Sequence, residues 1–277
     1  MVTKVHAPTS FSKPYQGDLS GIFVIVPARD SDGVLRKHVE LRKLGLRHLI
    51  VCGQRSTVKD SIYRTPRGKY DAINVGLQHL PKRTAIVVLN DVDTRIVNFE
   101  KGLVHFGNPD VGLVITSVEL PIGAHSTFNR LIDAIRQHFI IAANGELMFF
   151  RRQIFDMIGK VKPCKAEDTL LMFEALRLGY RVVFESNCHT ITSRTSTSSL
   201  KNEEIFKRKV VCGIYQAIYL ADAPIMVKLF YGLLPFASIL LLAVGKKGMY
   251  WVRGILLGLT DFLKGDRSGY WLPTYKK

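Results

Sequence analysis

The chain has 277 residues, 47% hydrophobic and 10% aromatic, which suits one large domain or a domain with an appendage and excludes low-complexity disorder. Its formal charge of +16 calls for an anionic partner: nucleic acid, anionic lipid or a phosphorylated substrate. No RNP motif, zinc-finger spacing or basic zipper is present, so no nucleic-acid partner is expected; much of the excess charge lies late in the chain beside apolar stretches, which favours lipid.

Residues 1–20 lack the apolar core of a signal peptide and read as an irregular arm of a cytoplasmic protein. "GIFVIVPA" (21–28) is a β-branched run closed by Pro27 and reads as a buried strand. "DGVLRKHVELRKLG" (32–45) has helical spacing and stops at a glycine, "RHLIVCG" (47–53) is the next strand, and "GKYDAINVGLQHL" (68–80) the next helix. "TAIVVLND" (84–91) and "DVGLVITSVEL" (110–120) are further strands. A helix is expected over 128–143, a strand over 145–152, a helix over 166–179 and a strand over 180–186; the polar stretch 189–199 reads as a long loop. Strand–helix alternation with buried strands predicts an α/β class: a mainly parallel sheet flanked by helices, with ligands bound beyond the carboxyl ends of the strands. Pro27 to Asp30, Cys52 to Arg55 and Asp91 to Asp93 all fall at such ends. The four cysteines, Cys52, Cys164, Cys188 and Cys212, are scattered without a CxxC pair, which favours free thiols in a reducing compartment.

Three stretches can carry chemistry, and each has an ordinary structural reading. In "NDVDT" (90–94), Asp91 and Asp93 would share a face if the strand continued; they form either a solvated turn or a seat for a divalent cation, because close carboxylates repel unless a cation lies between them. Mg2+ and Mn2+ prefer such oxygen ligands and complete their shells with water and phosphate. In "GKYDAINVG", Lys69 opens a helix whose backbone N–H groups suit an anion, or it is a surface lysine at an ordinary helix start. In "KAEDTLL", Glu167 and Asp168 either cap a helix through its dipole or supply a general base.

Taken in order, "VIVPAR", "GKYDAINVG", "LNDVDT", "AEDTLL" and "LGYRVVF" resemble the family 2 glycosyltransferases of the GT-A fold, the group that holds dolichyl-phosphate mannose synthases and the cellulose synthases. The resemblance spans roughly residues 21 to 215. It implies inverting transfer of a sugar from a nucleotide-diphosphate sugar, with Mn2+ or Mg2+ as cofactor. Carried over, Pro27, Ala28 and Arg29 line the nucleoside pocket with Cys52 and Lys69 nearby. Asp91 and Asp93 hold the metal on the diphosphate, Glu167 lies by the donor, and Asp168 deprotonates the acceptor. His189 is either a further metal ligand or structural. Where processive relatives carry Gln-x-x-Arg-Trp, this chain has Phe206-Lys207-Arg208-Lys209-Val210, which favours one sugar per acceptor. Arg194, Arg208 and Lys209 are then phosphate contacts or solvated surface cations. Two other readings stay open: a sugar nucleotidyltransferase, against which "PARDSDG" has a single glycine, and a non-catalytic basic protein bound to lipid or nucleic acid.

Residues 216–277 form the expected membrane-associating appendage. "APIMVKLFYGLLPFASILLLAV" (223–244) is long enough to span a bilayer, with Pro235 inside it, and a buried core helix is the ordinary alternative. "MYWVRGILLGLTDFL" is shorter, with Arg253, Thr260, Asp261 and Lys264 near one face and an apolar face holding Trp251 and Phe262. A single span from the cytoplasm would place a basic tail outside, against the positive-inside rule. The expectation is therefore a peripheral or monotopic protein at the cytoplasmic face of the cell membrane, taking a lipid-linked or polyprenyl-phosphate acceptor.

Overall fold

The computed structural model describes residues 19–119, 142–192 and 199–269. Nearly all of the N-terminal arm and of the helix expected over 128–143, Arg194 and the last residues of the basic tail lie outside them. In chain order the elements are β1 (Ile22–Ala28), α1 (Val34–Lys43), β2 (Arg47–Cys52), β3 (Ser61–Tyr63), α2 (Lys69–Gln78), β4 (Ile86–Asn90), β5 (Thr94–Val97) and α3 (Phe99–Val104). They continue with β6 (Val111–Glu119), β7 (Leu147–Arg151), α4 (Arg152–Ile158), α5 (Glu167–Arg177), β8 (Arg181–Thr192), α6 (Leu200–Leu220), α7 (Ile225–Ala237) and α8 (Lys246–Leu263).

Among the described residues, eight strands join one sheet in the order β3-β2-β1-β4-β7-β6-β8-β5. β3, β2, β1 and β4 pair in parallel, as do β6 and β8, while β7 runs against β4 and β6, and β5 against β8. The sheet is thus mainly parallel, as expected, with β7 and β5 the antiparallel strands. Alternation along the strands divides the core in two. Ile25, Leu49, Val87, Leu113 and Phe150 pack with Ile73 of α2 and Leu170, Leu171 and Phe173 of α5. On the other face Val24, Val26, Ile50, Val88 and Phe149 pack with Leu41 of α1 and Leu103 of α3. Burial on both faces explains why these strands read as continuous apolar runs.

Two expectations change. β4 stops at Asn90, and Asp91 to Asp93 form the turn into β5, so the two acids are not alternate residues of one strand. The stretch from His189 to Thr192 continues β8 and pairs with β5, Val97 opposite His189 and Thr94 opposite Thr192. Thr190 and Thr192 are buried there, and β-branched residues suit that ladder better than a loop.

The C-terminal helices are built onto the domain. α6 starts at Ser199, whose side chain accepts a hydrogen bond from the Asn202 N–H at 3.2 Å, and it runs unbroken past residue 215. α8 lies along it in the same direction. Gly254 and Gly258 bring the two backbones together, since a Cβ would sit 2.7 Å from Glu204 O and 2.5 Å from Arg208 O. The Trp251 indole donates to Glu203, Arg208 grips Asp261 through two bonds of 2.5 and 2.7 Å, and Lys165 pairs with Asp266. The apolar face expected to meet lipid through Trp251 and Phe262 is therefore turned onto α6, where Phe262 stacks on Tyr215 with centroids 5.7 Å apart.

α1 is held to the sheet by a buried ammonium. Lys37 has no exposed surface; its Nζ donates to Thr94 O at 2.6 Å and to Glu40 Oε2 at 2.7 Å, while Glu40 Oε1 accepts the Ile96 N–H at 2.6 Å. Burial, partly offset by Glu40, lowers the Lys37 pKa. Removing one partner of such a set leaves the other buried and unpaired. Lys37→Ala is expected to lower stability by about 3 kcal/mol, read as a lower urea midpoint with an unchanged slope.

Candidate functional site

Four chain segments meet at one edge of the sheet. α2 begins at Lys69 directly after Gly68, whose φ of 121° lies in the region that favours glycine. Lys69 Nζ reaches Asp91 Oδ1 at 2.8 Å, Glu167 Oε1 at 3.2 Å and Gly145 O at 3.1 Å. One ammonium therefore joins the start of α2, the turn after β4, the entry to β7 and the first turn of α5. The Asp91 N–H extends the β4–β7 ladder by donating to Glu146 O at 3.0 Å, and Asn90 Nδ2 donates to the same oxygen at 2.7 Å. Thr94 closes the turn, its hydroxyl donating to Asp91 O at 2.8 Å.

Glu167 is buried in the first turn of α5 and Asp168 half-buried beside it. Burial, and then the charge of Glu167, push the Asp168 carboxyl up to about 7, against Lys69 and the Thr169 N–H, which favour the ionised form. Burial alone would lower the Lys69 pKa, but Asp91, Glu167 and Asp168 together raise it, so Lys69 stays charged. A carboxyl poised near neutrality beside a permanent cation can accept a proton at physiological pH. Gly145 packs against both groups: a Cβ there would lie 2.9 Å from Asp168 Oδ2 and 3.1 Å from Lys69 Nζ. Sequence reasoning passed over Gly145 and Glu146, whose only signal is their position before a strand antiparallel to β4.

The other predicted residues take distinct places. Pro27 and Ala28 end β1 opposite Val51 and Cys52, and Arg29 is exposed at the start of the following loop. Cys52 is buried, its thiol donating to Asp30 O at 3.2 Å, so it joins two loops and offers no open side chain. Gly53 allows that approach, since a Cβ would come within 2.1 Å of Arg29 O. Asp93 is half-buried in the turn. His189 pairs with Glu119 at 3.4 Å, and Asp91, Asp93 and His189 form no three-ligand cluster among the described residues. The Arg208 fork is occupied by Asp261, which makes it a tie between helices and not a free phosphate contact. Lys209, lowered to about 8 by burial and by Lys165, sits one residue on, and Arg194 lies outside the described residues.

No family model matches the sequence, and neither does any curated protein. Among solved structures, a mannosyltransferase from Pyrobaculum calidifontis, determined with GDP-Man and Mn2+, superposes with a TM-score of 0.68 at 17% identity, covering 89% of this chain and 88% of that one. TarS residues 1–349 from S. aureus, determined with UDP-GlcNAc, gives 0.51 at 14% identity over 88% of this chain and 80% of that one. The likeness establishes the architecture: the chain has the GT-A fold.

The electrostatics can be checked directly. Lys69→Met removes the cation that favours the ionised Asp168, so the Asp168 pKa is expected to move above about 7; a carboxyl-carbon NMR titration of wild type and variant would show the upward displacement.

Proposed function

We propose that the protein is a metal-dependent, inverting glycosyltransferase that uses a nucleotide-diphosphate sugar. The observation that carries this reading is the Lys69–Asp91–Glu167–Asp168 cluster at the carboxyl edge of a GT-A sheet. The mannosyltransferase and TarS structures, determined with GDP-Man and UDP-GlcNAc, support it by likeness of fold. Carboxylate oxygens in a turn suit a hard divalent cation, and Asn90 Oδ1, buried next to that turn, makes no hydrogen bond among the described residues. Asp91 and Asp93 would hold Mn2+ or Mg2+, which supplies positive charge for the departing diphosphate.

The residues of the chain do the rest. The ends of β1 and β2, with Pro27, Ala28 and Arg29, form one wall for the nucleoside. Lys69 brings positive charge to the side where phosphate oxygens gain negative charge. Asp168 takes the proton of the attacking oxygen, that of a hydroxyl or of a singly ionised phosphate, as that oxygen bonds to the anomeric carbon; the bond from that carbon to the diphosphate breaks with inversion, and the nucleoside diphosphate leaves. A sugar nucleotidyltransferase would instead release pyrophosphate, so the product released from a nucleotide sugar separates the two readings.

The acceptor is proposed to be lipid-linked, a polyprenyl phosphate among the candidates, at the cytoplasmic face of the membrane. The stretch Ile225–Ala243 is apolar enough and long enough to cross a bilayer by length and composition. Its placement favours lying in the interface. α7 leaves the end of α6 and is tied back by the Tyr215 hydroxyl, which donates to Tyr231 O at 2.7 Å; a 3-10 segment, Ser238–Val244, then leads to α8, which returns to α6. Both ends of the apolar segment thus rest on the same helix, while Leu233, Phe236 and Leu240 are 63%, 72% and 79% exposed. A cleft of about 610 Å3 at the end of α6 has aromatic walls, Tyr215, Tyr219 and Phe262, and at its rim Lys228 pairs with Asp222 at 2.6 Å.

Three outcomes are expected. Asp93→Asn abolishes the metal-dependent part of nucleoside diphosphate binding in calorimetry with and without Mn2+, and unchanged linkage would remove the metal site. Asp168→Asn keeps donor binding and lowers transfer by roughly two to four orders of magnitude; in the wild type, transfer should rise as pH increases through about 7, where Asp168 loses its proton. A triple Leu233→Glu, Phe236→Glu, Leu240→Glu variant should fold, release from anionic vesicles and keep donor binding, as sedimentation with and without vesicles would report.

A further inference from the structure

A second cluster of ligand-type side chains lies apart from the proposed catalytic edge and has no part in that reaction. His48 is the second residue of β2, four residues, about 13 Å along the strand, before Cys52 at the carboxyl end. His38 faces it from α1, with Nδ1 2.9 Å from His48 Nε2, and Asp60, from the turn before β3, places Oδ2 4.0 Å from His38 Nδ1. One donor atom from each of the three lies within 4.8 Å of the others. We propose that His38, His48 and Asp60 form a binding site for a divalent ion of the zinc class, with water as the fourth ligand.

The surroundings favour a ligand set over a simple histidine pair. His48 Nδ1 lies 2.9 Å from Leu46 O. A carbonyl can only accept, so Nδ1 carries the proton, and the lone pair of a neutral imidazole sits on Nε2, facing His38. Fixing the outer nitrogen of a histidine on a backbone carbonyl is the usual way to orient a metal-ligating ring. Asp60 is fixed as well: its carbonyl accepts the Ile50 N–H at 2.9 Å, and its φ of 61° is one that aspartate tolerates better than most residues. Ligands in tetrahedral zinc sites stand about 3.3 Å apart, given bonds of about 2.0 to 2.1 Å. The two histidine nitrogens are therefore a few tenths of an ångström from ligating distance. Two imidazoles and one carboxylate suit Zn2+ better than Mg2+ or Ca2+.

The test is a Zn2+ titration of the full chain against a chromogenic zinc chelator, in saturating Mg2+ to occupy the oxygen-ligand turn at Asp91 and Asp93. One zinc per chain is expected. Its affinity should fall by about 100-fold or more in His38→Gln and in Asp60→Asn, both partly exposed positions whose replacement the fold tolerates, and should be unchanged in Asp93→Asn. Co2+ in place of zinc should give the strong visible absorption of a four-coordinate site in wild type and lose it in His38→Gln. Binding that survives both His38→Gln and Asp60→Asn, or that is lost in Asp93→Asn, would overturn the site and leave an adventitious ion only. Failure of this site leaves the glycosyltransferase reading untouched, because that reading is tested by donor binding and product release.

Discussion

The site depends on one ammonium. Asp91, Glu167 and Asp168 come from segments distant in sequence, and without a cation their convergence would be repulsive; like unit charges about 4 Å apart cost about 4 kcal/mol even at an effective dielectric constant of 20. Lys69 resolves the conflict at short range and also bonds to Gly145 O, so the same contact aligns the entry to β7. Gly76 of α2 is part of this arrangement. A Cβ there would come within 2.5 Å of Ile25, so its absence lets the helix sit close to β1 and carry Lys69 to the sheet edge.

The parts of the fold legible in the sequence are those whose burial is symmetric. β1, β2, β4 and β6 read correctly because apolar residues fill both faces, and α2 and α5 read correctly because their apolar residues fall at helical spacing toward the sheet. β3 and β5 have three and four residues, too short to carry a period, and they exist because β2 and β8 present edges to them. Lys37 shows the opposite failure. Its spacing is that of a polar helix face, yet it is buried because the Thr94 carbonyl and Glu40 lie where it points.

The same limit applies to individual side chains at the site. Lys69, Asp91, Glu167 and Asp168 were identifiable by order along the chain, and the structure gathers them. Arg208 and His189 were plausible by charge and chemistry, but their partners, Asp261 and Glu119, are 53 and 70 residues away in sequence. A sequence pattern reports what a residue can do, whereas another part of the fold decides whether it is already engaged. Gly145 was invisible for a simpler reason: its contribution is the space left by a missing side chain.

The parallel packing of α8 on α6 has a mechanical consequence. Two i,i+4 glycines bring the backbones into contact, and ion pairs at Glu203, Glu204 and Asp261 distribute the junction along its length. The exposed apolar segment between α6 and α8 is thus a bracket with both feet on one rigid beam, unlike a tether with one free end. A tether fixes distance and leaves rotation free; a bracket fixes tilt and azimuth too. Any surface that receives Leu233, Phe236 and Leu240 would therefore also set the direction in which the sheet edge bearing Asp168 faces.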